Sequence, residues 1–122
     1  MARPLILLVC SDDTQLHARH HAVKRAGYWS LPAPSLDRAL FLVGKIRPTL
    51  VLTDVEVADG RAPSLLRAIR MVAALEQVRV VIVGPLTPDE QSEVAADPHT
   101  HVRHLADDEA LTDLLHEYLD AA

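Results

Sequence analysis

The chain has 122 residues, of which 49% are apolar, a formal net charge of −5 and a single cysteine, Cys10. This length and composition predict a single domain over residues 1–122 and exclude a disordered chain, while the acidic balance argues against nucleic acid as a partner. A lone cysteine, with no apolar run near the roughly 20 residues of a membrane helix, indicates a cytoplasmic protein with no disulfide and no membrane partner.

Short apolar runs alternate along the chain with longer segments in which apolar residues recur at helical spacing. Continuous apolar runs are typical of strands that are covered on both faces of a parallel sheet. Glycine and proline mark the expected helix ends. In chain order the first predicted elements are a strand at Leu5–Val9, a helix over residues 14–26 that stops at Gly27, a short edge strand near Trp29–Leu31 and a helix that opens at Ser35 and stops at Pro48. A strand at Leu50–Thr53, a helix from Ala62 to Leu75 and a strand at Val78–Val83 follow. The last three elements are a short helix after Thr87, a weak strand near His101–His104 and a final helix capped by Asp107 or Asp108.

Three of the later helices carry further signals. Thr87 and Glu90 have the spacing of a capping box, in which each side chain accepts a hydrogen bond from the other residue's backbone. Apolar stripes are predicted at Leu65, Leu66, Ile69, Val72 and Ala73 in the helix from Ala62, and at Leu111, Leu114, Leu115 and Tyr118 in the last helix.

Five strand–helix units in one small domain predict an α/β fold. The expected architecture is a doubly wound, five-stranded parallel sheet with helices on both faces. In such a sheet the ligand crevice lies at the carboxyl ends of the strands.

Four segments, taken in their order and spacing, point to a known family. They are Ile6–Val9 before an acidic stretch, Ala26–Tyr28 after the first helix, Pro48–Asp54, and Val78–Val83. With them, nearly the whole chain resembles the receiver domain of two-component response regulators. The resemblance implies a flavodoxin-like strand order, 2-1-3-4-5, and a role in two-component signal transduction.

The resemblance also implies a chemistry. In the family, an aspartate at the end of the third strand accepts a phosphoryl group, and acids after the first strand hold Mg²⁺, which offsets the repulsion between two anions. A lysine after the fifth strand pairs with the phosphoryl oxygens. A hydroxyl residue after the fourth strand moves on phosphorylation and reports to an aromatic residue on the fifth. Asp54 is therefore the candidate phosphoacceptor, and Asp12, Asp13 and Asp54 are the candidate Mg²⁺ ligands.

The acid pair departs from the family pattern. An ungapped count back from Gly27 places Cys10 and Ser11 at its two positions. Asp12 and Asp13 match only if the loop shifts by two residues, and otherwise they are a helix cap and a solvated loop.

The switch positions depart as well. Gly84 follows the fourth strand where the family has its hydroxyl residue, and the spacing to the last helix puts His104 at the lysine position and His101 at the aromatic one. No lysine occurs after Lys45. We interpret Gly84, His101 and His104 as degenerate switch positions, with His104 either a partly protonated counter-ion or a surface histidine.

The helix that opens at Ser35 is more apolar than one buried stripe requires. Phe41 and Leu42 are candidates for a partner or homodimer surface, and core packing is the alternative. The seven histidines provide no convergent set of three ligands, which argues against a zinc site.

The sequence thus predicts a degenerate receiver-like signalling domain, a pseudo-receiver that is not an enzyme. It would act through protein–protein interaction, with a histidine kinase or an output protein as partner, no cofactor, and phosphorylation absent or uncoupled. One alternative is a phosphorylatable receiver that accepts a phosphoryl group on Asp54 with Mg²⁺. Another is a small-ligand-binding module that uses the crevice at the strand ends.

Overall fold

Five strands form one parallel sheet with helices on both faces. The computed structural model describes residues 4–72, 75, 77–105 and 108–119. The strand order is β2-β1-β3-β6-β7, which confirms the predicted doubly wound sheet, while β4 and β5 form a separate antiparallel hairpin. The elements are β1 (Leu5–Val9), α1 (Asp13–Arg25), β2 (Trp29–Ala33), α2 (Leu36–Ile46), β3 (Leu50–Asp54), β4 (Glu56–Val57), β5 (Gly60–Arg61), α3 (Ala62–Arg70), β6 (Arg79–Val83), α4 (Pro88–Ala95), β7 (Thr100–Arg103) and α5 (Asp108–Leu119).

The alternation of side chains along each strand builds two cores, one on each face of the sheet. In β1, Leu7 and Val9 pack into the core formed with α2 and α3, whereas Ile6 and Leu8 pack into the core formed with α1 and α5. All four side chains are buried. This two-sided burial is the reason that the strand sequences are continuously apolar rather than alternating.

Strand β2 lies at one edge of the sheet, as predicted, but it extends past Pro32 to Ala33. The Trp29 backbone N–H donates to the Pro4 carbonyl on the β1 side, at 3.0 Å. Because successive residues of a strand face opposite edges, the Pro32 nitrogen faces away from β1, and its missing proton removes no hydrogen bond of the sheet. The strand therefore continues through a residue that would interrupt a central strand.

Helix α2 begins and ends as predicted, with the Ser35 hydroxyl accepting from the Arg38 backbone N–H. The two residues predicted as a partner surface point in different directions. Phe41 is 55% exposed, but Leu42 is buried in the core that includes Leu36 and Val43. The prediction for Leu42 is therefore wrong, because the residue one step along the helix from Phe41 falls on the core-facing stripe.

Helix α3 ends at Arg70, five residues before the predicted end. The backbone N–H groups of Met71 and Val72 each bond the carbonyl three residues back, which tightens the chain out of the α-helix. The Arg70 guanidinium donates to the Leu75 carbonyl at 2.9 Å and holds the chain in its new direction. The stripe is confirmed at Leu65, Leu66 and Ile69, Val72 is exposed, and Ala73 lies outside the described residues.

The carboxyl-terminal half follows the predicted order. The capping box of Thr87 and Glu90 is present at the start of α4, and β7 begins one residue earlier than predicted. Helix α5 begins at Asp108, and Asp107, the other predicted cap, lies outside the described residues. Leu111, Leu114 and Leu115 are buried and Tyr118 is partly buried, which confirms that stripe. No helix within the described ranges is long and apolar enough to cross a membrane.

Candidate functional site

The candidate site lies at the carboxyl ends of β1, β3 and β6, which we call the strand-end crevice. Asp54 is the last residue of β3, the central strand, so the fold brings it to the middle of this edge. Its backbone is held in place because the Thr53 hydroxyl donates to the Asp54 carbonyl at 2.9 Å, and because the Val55 backbone N–H donates to the Val83 carbonyl at 2.9 Å.

The Asp54 carboxylate is paired with an arginine of helix α1. Arg19 Nη1 donates to Asp54 Oδ1 at 2.9 Å, and the two side chains are 7% and 20% exposed. Arg19 is thus a buried cation that contacts the candidate phosphoacceptor directly. Sequence reasoning missed it, although Arg19 lies on the same helical stripe as the buried residues Leu16, Ala22 and Val23, where an arginine needs a buried partner.

Cys10 follows β1 and is buried beside Asp54. Its thiol is placed to donate to Gln15 Oε1, with Sγ at 3.4 Å. Burial, followed by the interaction with the nearby Asp54 carboxylate, raises the pKa of Cys10 to about 11. Cys10 is therefore a neutral thiol near pH 7, at a position where the family resemblance implied a carboxylate that binds metal.

Of the two candidate acids after β1, one caps helix α1 and the other faces solvent. Asp12 is the N-cap of α1, and its Oδ1 accepts from the Gln15 backbone N–H at 2.9 Å. Asp13 is exposed in the first turn of the same helix.

These donors do not fit Mg²⁺. That ion needs several oxygen ligands, whereas Asp54 Oδ1 is bound to a guanidinium and Cys10 is a neutral thiol. The described ranges contain no group of three His, Cys, Asp or Glu side chains that could hold a metal ion. The predicted cluster of Asp12, Asp13 and Asp54 is therefore corrected to an Arg19–Asp54 ion pair and a helix cap.

Gly84 occupies the position of the missing switch hydroxyl and is in the left-handed region, with φ +128°. A Cβ built on it would lie 2.7 Å from Val55 Cγ1, so the Val55 side chain fills the space that a serine or threonine would need. A side chain at position 84 is thus disfavoured both by the backbone angle and by contact.

The two predicted histidine positions lie apart from the ion pair. The His101 ring packs on Tyr118 of α5 with centroids 4.7 Å apart, and burial, followed by the charges of Arg79 and Arg103, lowers the pKa of His101. His104 is exposed and borders a shallow pocket of about 370 Å³ beside Gly84. Across the described ranges no hydrogen bond or ion pair joins His104 to Asp54, so the surface alternative describes its placement.

The segment after Asp54 folds into the hairpin of β4 and β5, which sequence reasoning did not predict, and it is tied to two helices. Asp59 accepts from the backbone N–H groups of Leu36 and Asp37, at 2.8 and 3.0 Å, at the start of α2. Arg61 forms a bidentate pair with Glu90 of α4, with N–O distances of 2.7 and 2.8 Å. The hairpin that borders the crevice is therefore held at its turn by α2 and at its last residue by α4.

Comparison with known proteins gives structural matches only: no protein-family model and no curated protein matches the chain. Chemotaxis protein CheY4 of Vibrio cholerae is 21% identical, with a TM-score of 0.86 over 97% of this chain and 100% of that one. A CheY-like receiver domain protein of Methanospirillum hungatei is 19% identical, with a TM-score of 0.83 over 98% and 95%. The signal receiver domain of a signal transduction histidine kinase from Syntrophus aciditrophicus is 19% identical, with a TM-score of 0.82 over 98% and 92%.

The chain has the receiver-domain fold. At these identities the likeness shows how the chain folds, and it agrees with the five-stranded order predicted from the sequence. The chemistry of the crevice is a separate matter and follows from the residues that line it.

The first prediction concerns Gly84. Gly84→Ala should lower the free energy of unfolding by roughly 1–3 kcal/mol, because it forces a Cβ into the left-handed region and against Val55. Adding Val55→Ala relieves the contact but not the backbone strain, so the double variant should lose less than the sum of the two single losses.

Gly44→Ala is the matched control. Gly44 lies inside α2 with nothing within 4 Å of an added Cβ, so this change should stabilise the protein by roughly 0.5–1 kcal/mol. Chemical denaturation compares these four variants (Gly84→Ala, Val55→Ala, their double variant and Gly44→Ala) with the wild type, and equal effects at the two glycines would contradict the steric account.

The second prediction concerns the Arg61–Glu90 pair. The guanidinium of Arg61, followed by the Thr87 backbone N–H, lowers the pKa of Glu90 from 4.5 to about 2. Because folding lowers the pKa of the Glu90 carboxyl group, its ionised form contributes stability that is present above pH 4.5 and is lost as the pH falls toward 2.

The difference in unfolding free energy between the wild type and Glu90→Gln should therefore be constant above pH 5 and shrink between pH 4.5 and 2. In an Arg61→Gln background the same difference in unfolding free energy should vary less with pH, because the capping-box hydrogen bond from the Thr87 backbone N–H is then the main cause that lowers the pKa of Glu90. Denaturant titrations at several pH values give both curves, and a difference that stays flat down to pH 2 would exclude this linkage.

Proposed function

We propose that this domain is a receiver-like signalling module that acts by binding another protein and does not depend on phosphorylation of Asp54. We also propose that the domain catalyses no reaction of its own. The observation that carries the proposal is the Arg19–Asp54 ion pair at the centre of the strand-end crevice.

The ion pair affects the first requirement of phosphorylation, a carboxylate that is free to bind a metal ion and to attack phosphorus. An attacking carboxylate must approach phosphorus with a cation close enough to offset the repulsion between the two anions. Here Oδ1 already accepts a hydrogen bond from Arg19, whose side chain is 7% exposed. The positive charge is covalently part of α1, so the carboxylate is neutralised in the resting protein without a metal ion.

The surroundings of Gly84 affect the second requirement, a residue that reports the phosphoryl group. Gly84 has no hydroxyl to donate and no side chain to move, and Val55 occupies the adjoining space. A phosphoryl group on Asp54 would therefore meet neither a hydroxyl donor nor a moving side chain at this position. Both features support a module with one stable conformation.

Phosphorylation itself is tested by intact-mass measurement after incubation with a small phosphodonor and Mg²⁺. We expect no gain of mass by the wild type and none by Asp54→Asn. A gain of one phosphoryl group that requires Asp54 would establish the alternative of a phosphorylatable receiver and contradict the proposal.

The ion pair also predicts whether removing the charge of Asp54 stabilises or destabilises the fold. Asp54→Asn leaves Arg19 buried and unpaired, so we expect a loss of about 3 kcal/mol, the low end of the range for breaking buried pairs, because the Asp54 side chain is one-fifth exposed. In a cluster of free carboxylates the same change would relieve repulsion and stabilise the fold. Asp54→Asn therefore destabilises a site built on the Arg19–Asp54 ion pair and stabilises a site built on free carboxylates.

A double variant, Arg19→Met with Asp54→Asn, removes both charges and should recover most of the loss. Asp113→Asn is the control, since Asp113 is exposed on α5 and the change should stay within about 0.5 kcal/mol. Stabilisation by Asp54→Asn would contradict the role given to Arg19.

We further propose the outer face of α2 as the partner-binding surface. Phe41 is 55% exposed and Leu40 is 40% exposed. The Arg38 guanidinium lies 5.2 Å and the Lys45 ammonium 5.7 Å from the Phe41 ring centroid. Neither cation forms an ion pair with another described residue, so the face combines apolar area with positive charge in a chain whose net charge is −5.

Charge complementarity selects an acidic, apolar segment of another signalling protein as the occupant. In a symmetric homodimer through the same face, Arg38 and Lys45 would meet the same cations of the second copy, which disfavours that arrangement. The surface therefore consists of Arg38, Leu40, Phe41 and Lys45, and it differs from the sequence prediction in having Leu40 instead of Leu42.

A synthetic peptide of glutamate and leucine residues is a suitable probe of this surface. We expect saturable binding that shifts the NMR signals of α2 and is lost in Phe41→Ser. Met71→Ser should leave binding unchanged, because Met71 is an exposed apolar residue on a different element. Equal binding of a lysine–leucine peptide would contradict the acidic partner, and a halved solution mass of Phe41→Ser would show a homodimer instead.

A further inference from the structure

Helix α1 carries two histidines on its solvent-exposed side that are not part of the crevice. His17 and His21 are one helical turn apart, and both are exposed. Their Nε2 atoms are 3.2 Å apart, and their rings meet edge to face with centroids 4.7 Å apart. A step of two positions along the helix leads from His17 to Arg19 and corresponds to about 200° around the helix axis, so the histidines face away from the Arg19–Asp54 pair.

The two Nε2 atoms share a hydrogen bond in this structure, and their separation also suits a metal ion bound in its place. An ion about 2.0–2.1 Å from each Nε2, the usual distance for histidine and zinc, would have an Nε2–metal–Nε2 angle of roughly 100° when the two nitrogens are 3.2 Å apart. That angle is close to the tetrahedral value. A spacing of four residues brings both imidazoles to one side of the helix without any change in the backbone.

Although the histidines of the chain provide no set of three ligands, we propose that His17 and His21 form a two-ligand chelating site for a divalent transition-metal ion of the zinc, nickel or copper class. Neutral imidazole nitrogen is a preferred ligand of these ions, whereas Mg²⁺ and Ca²⁺ prefer oxygen. The described ranges contain no group of three such ligands, so water completes the coordination. The site is separate from the crevice and does not depend on the function proposed for Asp54.

The third histidine of the helix is held elsewhere. His20 Nδ1 lies 2.7 Å from the Ser30 hydroxyl oxygen of β2, and its ring centroid is 6.2 Å from that of His21. His20 therefore links α1 to the sheet edge and is not a ligand of the pair. This difference between neighbouring histidines makes the proposal specific to two residues.

Binding at this site would stabilise the folded protein. The unfolded chain does not hold the two imidazoles in place, so the ion binds the native state preferentially and raises the free energy of unfolding. The bound ion would connect successive turns of α1, the helix that also supplies Arg19 to the crevice.

The test uses the untagged full chain and Ni²⁺ alone as the probe, with calorimetric titration and thermal unfolding as the two readouts. We expect one ion per chain and a rise in Tm. His17→Ala and His21→Ala should each weaken binding roughly tenfold or more, because the remaining imidazole loses the advantage of chelation.

Two further variants are matched controls. His20→Ala removes the neighbouring histidine, and His104→Ala removes an exposed histidine that follows β7. Both should retain the wild-type affinity. Because His17 and His21 are exposed, their alanine variants should keep the Tm that the wild type has without metal. Wild-type affinity in the double variant His17→Ala, His21→Ala, or an equal loss in His20→Ala, would overturn the proposal.

Discussion

The charge of Asp54 has to be balanced at the centre of the strand-end crevice, and Arg19 balances it. The central strand of this sheet delivers Asp54 to a largely buried position, where an unpaired carboxylate is costly. The guanidinium from α1, 2.9 Å away, removes that cost and ties the helix to β3. The neighbouring residues are consistent with this arrangement, since Cys10 is a neutral thiol and Asp12 is used as a helix cap.

Charged side chains also find partners within the protein in the hairpin after β3, which forms the rim of the crevice. Asp59 accepts two backbone N–H groups at the start of α2, and Arg61 pairs with Glu90 at the start of α4. These three polar side chains of the rim are thus engaged within the protein. Together with Val55 against Gly84, these contacts favour one conformation of the rim, which suits a domain recognised by its surface rather than by a change of shape.

The order of elements was predictable because strands covered on both faces are continuously apolar and the helix ends carry caps and glycine or proline stops. The end of α3 was not, since Val72 continues the helical periodicity past Arg70 and the hydrogen bonds that end the helix depend on the fold. Asp54 could be placed from its strand, whereas Arg19 could not be paired with it, because their partnership spans 35 positions of sequence. Leu42 and Phe41 show a related limit: neighbouring apolar residues need a known helix orientation before one is assigned to the core.

The outer border of β2 has a consequence for how copies of this protein behave when concentrated. An uncovered strand offers alternating donors and acceptors on which a further strand can grow, and this growth begins many aggregates. Along the outward-facing side of β2, Ser30 can donate a backbone proton and Pro32 cannot. The proline that the sheet tolerates on its inner side therefore interrupts the template on its outer side, and it protects this border against the addition of strands from other molecules.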